Sequence, residues 1–146
     1  MDDLSYTNLT FVEKKAVREL VNLKSQKPSV FIIGAQNLSF LLKVSRSRAY
    51  KILLSLTEKE LLEKFERKGF ILTKKGKLMI NDLCYSKKVL EVFFTETLSL
   101  SSNNSSNDAS DLCLFVNSRI ISAIDKKFVH LNIDMESLSE NLVAKL

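Results

Sequence analysis

Apolar residues recur along most of this chain at helical spacing, and only a few short stretches alternate. Val12, Ala16, Val17, Leu20 and Leu23 fall three or four apart and define one helix face. Thr10-Phe11-Val12-Glu13 marks its start, because a Thr and a Glu three apart cap a first turn reciprocally. Ser25-Gln26-Lys27-Pro28 ends it, since the residue before proline avoids the helical region. Ser29–Ile33 is β-branched and aromatic and fits a short edge strand. A short helix is expected over about Gln36–Lys43, with Leu38, Leu41 and Leu42 inward. Val44-Ser45 then leads tightly into a third helix, capped by Ser45 or Ser47, whose apolar face is Ala49, Ile52, Leu53 and Leu56.

The period changes after Leu61. Leu61–Glu66 and Phe70–Leu72 flank Arg67-Lys68-Gly69, and Gly69 suits a turn with positive φ, so a two-stranded hairpin with a basic tip is predicted. Thr73 caps a long helix, roughly Lys74–Leu98, carrying Met79, Ile80, Leu83, Cys84, Leu90, Phe93 and Phe94. That is more apolar surface than a small domain covers from one side. Ser99–Ser110 is rich in Ser and Asn without hydrophobic periodicity beyond Leu100, and is expected to be a mobile linker. Leu112–Phe128 resumes as a helix with Val116, Ile120, Ile121 and Ile124 on one side. Ser137-Leu138-Ser139-Glu140 opens a terminal helix bearing Leu138, Leu142 and Leu146.

Composition agrees with a helical globular protein. The 146 residues are 45% hydrophobic and 27% charged, and three glycines and one proline are too few for a turn-rich all-β fold. The longest apolar runs, such as Val30–Ile33 and Leu112–Val116, are too short to cross a bilayer, and Met1-Asp2-Asp3 is unlike a secretory leader. A soluble cytoplasmic protein with no membrane partner is expected. Cys84 and Cys113 lack CxxC spacing and are read as buried, reduced thiols.

Charge is unevenly distributed. Residues 43–88 hold 13 basic and 5 acidic groups, net +8, whereas residues 89–146 hold 4 basic and 8 acidic, net −4. Such asymmetry suits one part that meets a polyanion and another that does not. Two short helices joined by a few residues, the second basic at its start, form a helix-turn-helix arrangement. The candidate DNA-binding residues are Ser45, Arg46, Ser47, Arg48, Tyr50 and Lys51 on the third helix, and Arg67 and Lys68 at the hairpin tip. Arginine donates two hydrogen bonds to guanine, Ser or Tyr reaches bases or phosphates, and Lys51 lies a turn further on, where phosphate is the nearer target. Lys74, Lys75 and Lys77 add attraction that salt would screen. Any one of these cations alone is better explained as a solvated helix face. Their joint placement favours DNA.

Val44–Leu62 (VSRSRAYKILLSLTEKELL), the hairpin residues Arg67–Leu72 and the following Thr73-Lys-Lys-Gly-Lys resemble the diphtheria-toxin-repressor/manganese-transport-regulator family. The resemblance continues through Leu83-Cys84-Tyr85 and Leu90-Glu91-Val92-Phe93-Phe94, and weakly through Leu112–Ile124. It implies a mainly α protein in which a winged helix-turn-helix DNA-binding domain, residues 1–73, precedes an all-helical dimerisation domain, residues 74–146, with a flexible linker near 99–110. Family members are metal-activated dimeric repressors, and the resemblance implies a chain without the family's third domain, as in its shorter manganese-responsive members. The resemblance fails at the metal site. Lys87 stands where a histidine ligand belongs, Glu91 keeps its carboxylate, and Ser110, Cys113 and Leu114 occupy a cluster elsewhere acidic or Cys with Glu-His. On the first helix the matching positions lie near Val12 and Lys15. Lysine and leucine do not ligate a divalent transition ion. Either metal control is lost, with Lys87 supplying the charge and pairing with Glu91, or other ligands such as Glu13 or Asp111 serve.

No enzyme is expected. The one histidine, His130, lies between Val129 and Leu131, and neither a Ser/His/Asp set nor a P-loop is present. The expected function is a dimeric DNA-binding transcriptional regulator, a repressor by the resemblance, with double-stranded DNA as partner, no cofactor and no small-molecule substrate. The alternative is a winged-helix module that docks an acidic protein.

Overall fold

The structure, a computed structural model, describes residues 8–26 and 32–127. His130, the helix opened by Ser137, and residues 29–31 of the expected strand lie outside the described residues. The element order is α1 (Phe11–Gln26), α2 (Ala35–Leu42), α3 (Arg46–Glu58), β1 (Leu62–Phe65), β2 (Gly69–Leu72), α4 (Lys74–Glu96), α5 (Ser102–Leu112) and α6 (Ser118–Lys127). The chain forms two compact units, Met1–Cys84 and Tyr85–Leu146, with the division inside α4.

In the first unit, α1, α2 and α3 pack on one another, and β1 packs on α3. Their shared core is Val17, Leu20 and Val21 from α1, Leu38 from α2, and Ala49, Ile52, Leu53 and Leu56 from α3, all under 9% exposed. Burying a side chain of the size of Leu53 or Leu56 contributes about 1.5–3 kcal/mol. Val12 and Leu23, expected inward, are only half-buried, and Glu13 and Val21 take the inner positions instead. On α2, Leu41 and Leu42 are also half-buried, and Phe40 stands 82% exposed.

α2 ends in Lys43, which adopts the left-handed conformation at φ 57°, and the N–H groups of Lys43 and Val44 both return to the Ser39 carbonyl. The chain then enters α3 after only Val44 and Ser45. Ser45 is the cap: its hydroxyl accepts from the Arg48 N–H at 3.2 Å.

β1 and β2 pair antiparallel, from Leu62 opposite Leu72 to Phe65 opposite Gly69. Residues 66–68 make the turn, with Glu66 at φ 50° and the Lys68 N–H donating to the Phe65 carbonyl at 3.1 Å. Of the expected edge strand, Ile33 pairs with Phe70: each N–H donates to the other's carbonyl, at 2.9 and 2.8 Å. Gly69 is required there twice over, because its φ is 141° and a Cβ would sit 2.6 Å from the Ile33 carbonyl oxygen.

Thr73 caps α4 as expected, accepting from the Gly76 N–H at 3.0 Å, and its own hydroxyl donates to the Glu60 carbonyl at 2.5 Å. A Cβ on Gly76 would run into the Leu61 carbonyl, so the first turn of α4 lies directly on the connection between α3 and β1. Met79, Ile80 and Leu83 from the next turns are buried.

The second unit departs from the sequence reading. Residues expected to form a mobile linker, 99–110, include most of helix α5. Ser101 caps it through the Asn104 N–H at 3.2 Å, and Ser105, Ala109 and Cys113 recur every fourth residue on a buried face. Small side chains permit a close approach, and the Thr95 hydroxyl on α4 donates to the Ser105 oxygen at 2.9 Å. The expected Leu112–Phe128 helix is also broken. Leu112 closes α5, a turn follows, and the Asn117 side chain accepts from the Ile120 N–H at 3.0 Å to start α6. Ile121 is buried, but Ile120 is 49% exposed. Tyr85 donates its hydroxyl hydrogen to Asp125; burial and that carboxylate push the phenol up to about 12.

Candidate nucleic-acid interface

The buried residues of α3 leave the opposite side and the first three residues of the helix to solvent. Arg46, Ser47, Arg48, Tyr50 and Lys51 are all exposed. Among the described residues, no carboxylate lies within ion-pairing distance of Arg46, Arg48 or Lys51. Among the described residues these three cations therefore hold no carboxylate that an external anion would have to displace. Ser45 and Ser47 are less free, since their hydroxyl oxygens lie 3.3 Å apart and Ser45 holds the cap.

Tyr50 is 41% exposed, and its ring stands edge-on to Phe70, 6.0 Å between centroids at 62°. This contact brings β2 alongside the middle of α3. Arg67 and Lys68 lie two or three residues before Phe70, about 10 Å of extended chain. The basic start of α3 and the basic hairpin tip are thus near enough to address one turn of duplex, about 34 Å. Arg67 is exposed, and Lys68 sits 4.0 Å from the Glu66 carboxylate in a solvent-exposed pair that holds it only weakly. Lys74 and Lys77 are exposed at the start of α4, and Lys75 donates to the Lys59 carbonyl at 3.3 Å.

The orientation of α3 depends on a group that sequence reasoning treated differently. Glu13 is 3% exposed. One carboxylate oxygen accepts from the Thr10 N–H at 2.7 Å and from Lys59 Nζ at 2.5 Å, and the other from the Ser55 hydroxyl at 3.0 Å. Burial pushes this carboxyl up, but Lys59, Thr10 and Ser55 outweigh burial and hold it below the ordinary carboxylate range. Lys59 also donates to the Asn8 carbonyl at 2.5 Å. The N-terminus of α1 is thereby clamped to the last turn of α3. Neither Lys59 nor Ser55 was singled out from the sequence, because both lie more than 40 residues from Glu13.

The donor set for a metal ion does not fit. Both oxygens of Glu13 are occupied by the clamp. Cys113 is buried and its thiol donates to the Ser110 carbonyl at 3.5 Å, while Asp111 is exposed. Glu91 carries an ion pair from Lys88, at 4.0 Å and three residues away. Among the described residues no three His, Cys, Asp or Glu side chains come together as a metal-ligand group. No described helix is long and apolar enough to cross a membrane.

No protein-family model matches the sequence, and no curated protein matches it. The fold nevertheless recurs among solved structures. The manganese regulator SloR superposes with a TM-score of 0.63 at 21% identity, over 81% of this chain and 54% of SloR. T. acidophilum IdeR gives 0.65 at 17% identity, over 83% of this chain and 55% of IdeR. A hypothetical protein from Sulfolobus solfataricus gives 0.59 at 18% identity, over 82% of this chain and 88% of that one. The chain spans about half the length of SloR and IdeR. At these identities the likeness establishes a shared, mainly helical fold.

Proposed function

We propose that this chain is a DNA-binding transcriptional regulator that reads double-stranded DNA through a winged helix-turn-helix and acts as a homodimer. The observation that carries this reading is the exposed, carboxylate-free set of Arg46, Arg48 and Lys51 on the first two turns of α3. A major groove about 12 Å wide admits a helix, and its leading turns reach base edges. Arg46 and Arg48 donate to bases, with Ser47 beside them, and Lys51 meets phosphate. Ser45 contributes mainly by capping. The hairpin is the wing, and Arg67 and Lys68 meet the flanking backbone or minor groove. The shared fold with the manganese regulator SloR and the metal-dependent transcriptional regulator MtsR supports the same reading.

Pairing is assigned to the second unit, where Leu112, Phe115 and Ile120 are 43%, 58% and 49% exposed. Scattered single apolar residues are ordinary, but three within nine positions favour a covered surface. DNA binding is assigned as independent of metal, on the chemistry of the donors at Glu13, Glu91, Asp111 and Cys113. Gel shifts with chelator, and with added Mn²⁺ or Fe²⁺, are expected to give equal affinity. A strong metal requirement would overturn this part.

The competing reading is a module that docks an acidic protein, and the exposed ring of Phe40 on α2 is its specific support. Selection of duplexes from the source genome separates the two. The DNA reading expects enrichment of a two-fold symmetric site bound far more tightly than random duplex. Equal, weak binding of every duplex favours the protein partner.

A further inference from the structure

Tyr50 sits among the groups that face DNA, yet its geometry assigns it a different task. Its ring is packed edge-on against Phe70, a buried residue of the hairpin. Phe70 is 4% exposed, both of its backbone polar groups are bonded to Ile33, and its other edge faces Lys64 of β1. Gly69 beside it admits no side chain. Hairpins with strands as short as four residues are marginal alone, so the tip depends on what the strands pack against, and Phe70 is the buried strand residue nearest to it. Ile33 holds it from the sheet edge, and Tyr50 holds it from α3.

We infer that Tyr50 is a positioning residue: through Phe70 it sets the place of Arg67 and Lys68 relative to α3, so that wing and recognition helix engage one duplex together. The inference rests on the DNA-binding reading. It requires the ring of Tyr50 and does not require its hydroxyl.

The test compares Tyr50→Phe and Tyr50→Ala in the full chain, alone and combined with Arg67→Ala/Lys68→Ala, using the duplex selected for the wild type. Each lost phosphate contact reduces the slope of log affinity against log salt by about 0.9, so Tyr50→Ala is expected to flatten it by about 1–2 and to weaken binding at least tenfold. Tyr50→Phe is expected to match the wild type within about twofold. Adding Tyr50→Ala to the Arg67/Lys68 double variant is expected to change little further, because the same contacts are already gone. In the free protein, hydrogen exchange at the Ile33 and Phe70 amides is expected to speed up in Tyr50→Ala and not in Tyr50→Phe. Loss of binding in Tyr50→Phe equal to that in Tyr50→Ala would mean that the hydroxyl touches DNA, and would overturn the inference. An unchanged salt slope in Tyr50→Ala, with unchanged exchange at Phe70, would also overturn it while leaving DNA binding intact. Failure of the wild type to bind any duplex would defeat the DNA reading itself.

Discussion

A carboxylate only 3% exposed is costly unless its lone pairs are filled, and Glu13 fills them with Thr10, Lys59 and Ser55. Glu13→Gln keeps the shape but removes the charge that Lys59 faces, and is expected to lower stability at neutral pH by about 1–2 kcal/mol. The folded carboxyl titrates below its ordinary value of 4.5, so the folded state favours the ionised form. Its contribution is therefore full above that value and is lost as pH falls through it toward the folded pKa. Urea unfolding of both proteins from pH 7 to 3 is expected to show their stabilities converging in acid. A gap that persists unchanged at pH 3 would mean that the charge of Glu13 is not what stabilises. Half of this residue's role was legible in advance, because Thr-x-x-Glu spacing declares a capping box. The other half was not, because the link to Lys59 spans 46 residues and no local pattern reports it.

At the scale of elements, hydrophobic spacing located α1, α3 and α4 well, because their buried residues are large and recur at helical intervals. It failed at α5, whose buried residues are Ser105, Ala109 and Ser110, side chains too small or too polar to register as an apolar stripe. It also ran α6 together with the end of α5, because the break between them holds no glycine or proline and α6 opens on an Asn117 cap. Helix ends show a related economy. With three glycines in the chain, Lys43, Glu60 and Ser99 adopt left-handed φ values of 57°, 64° and 56° where glycine is usual. A left-handed non-glycine residue costs about 1–2 kcal/mol, partly offset by the greater freedom of glycine in the unfolded chain. Glu60→Gly is thus expected to raise stability by about 0.5–1 kcal/mol, since the bond from Thr73 to its carbonyl needs only backbone. A fall in melting temperature would show that the Glu60 side chain contributes more than its strain costs.

At the scale of the whole molecule, the charge asymmetry seen along the sequence follows the division into two units. The basic stretch supplies α3, the hairpin and the first turns of α4, and the acidic remainder supplies the second unit. The candidate cations were legible individually, but their freedom from internal carboxylates and the Tyr50–Phe70 contact that gathers them were not. Those features need the fold. The measurement that bears most directly on the central claim is the salt dependence of binding to the selected duplex, by fluorescence anisotropy, for the wild type and Arg48→Glu. The account predicts affinity falling steeply with salt, a preference for the selected duplex over random sequence of at least about 10³, and loss of that preference in Arg48→Glu. Affinity that ignores salt and sequence, and an Arg48→Glu variant that binds as the wild type does, would contradict it.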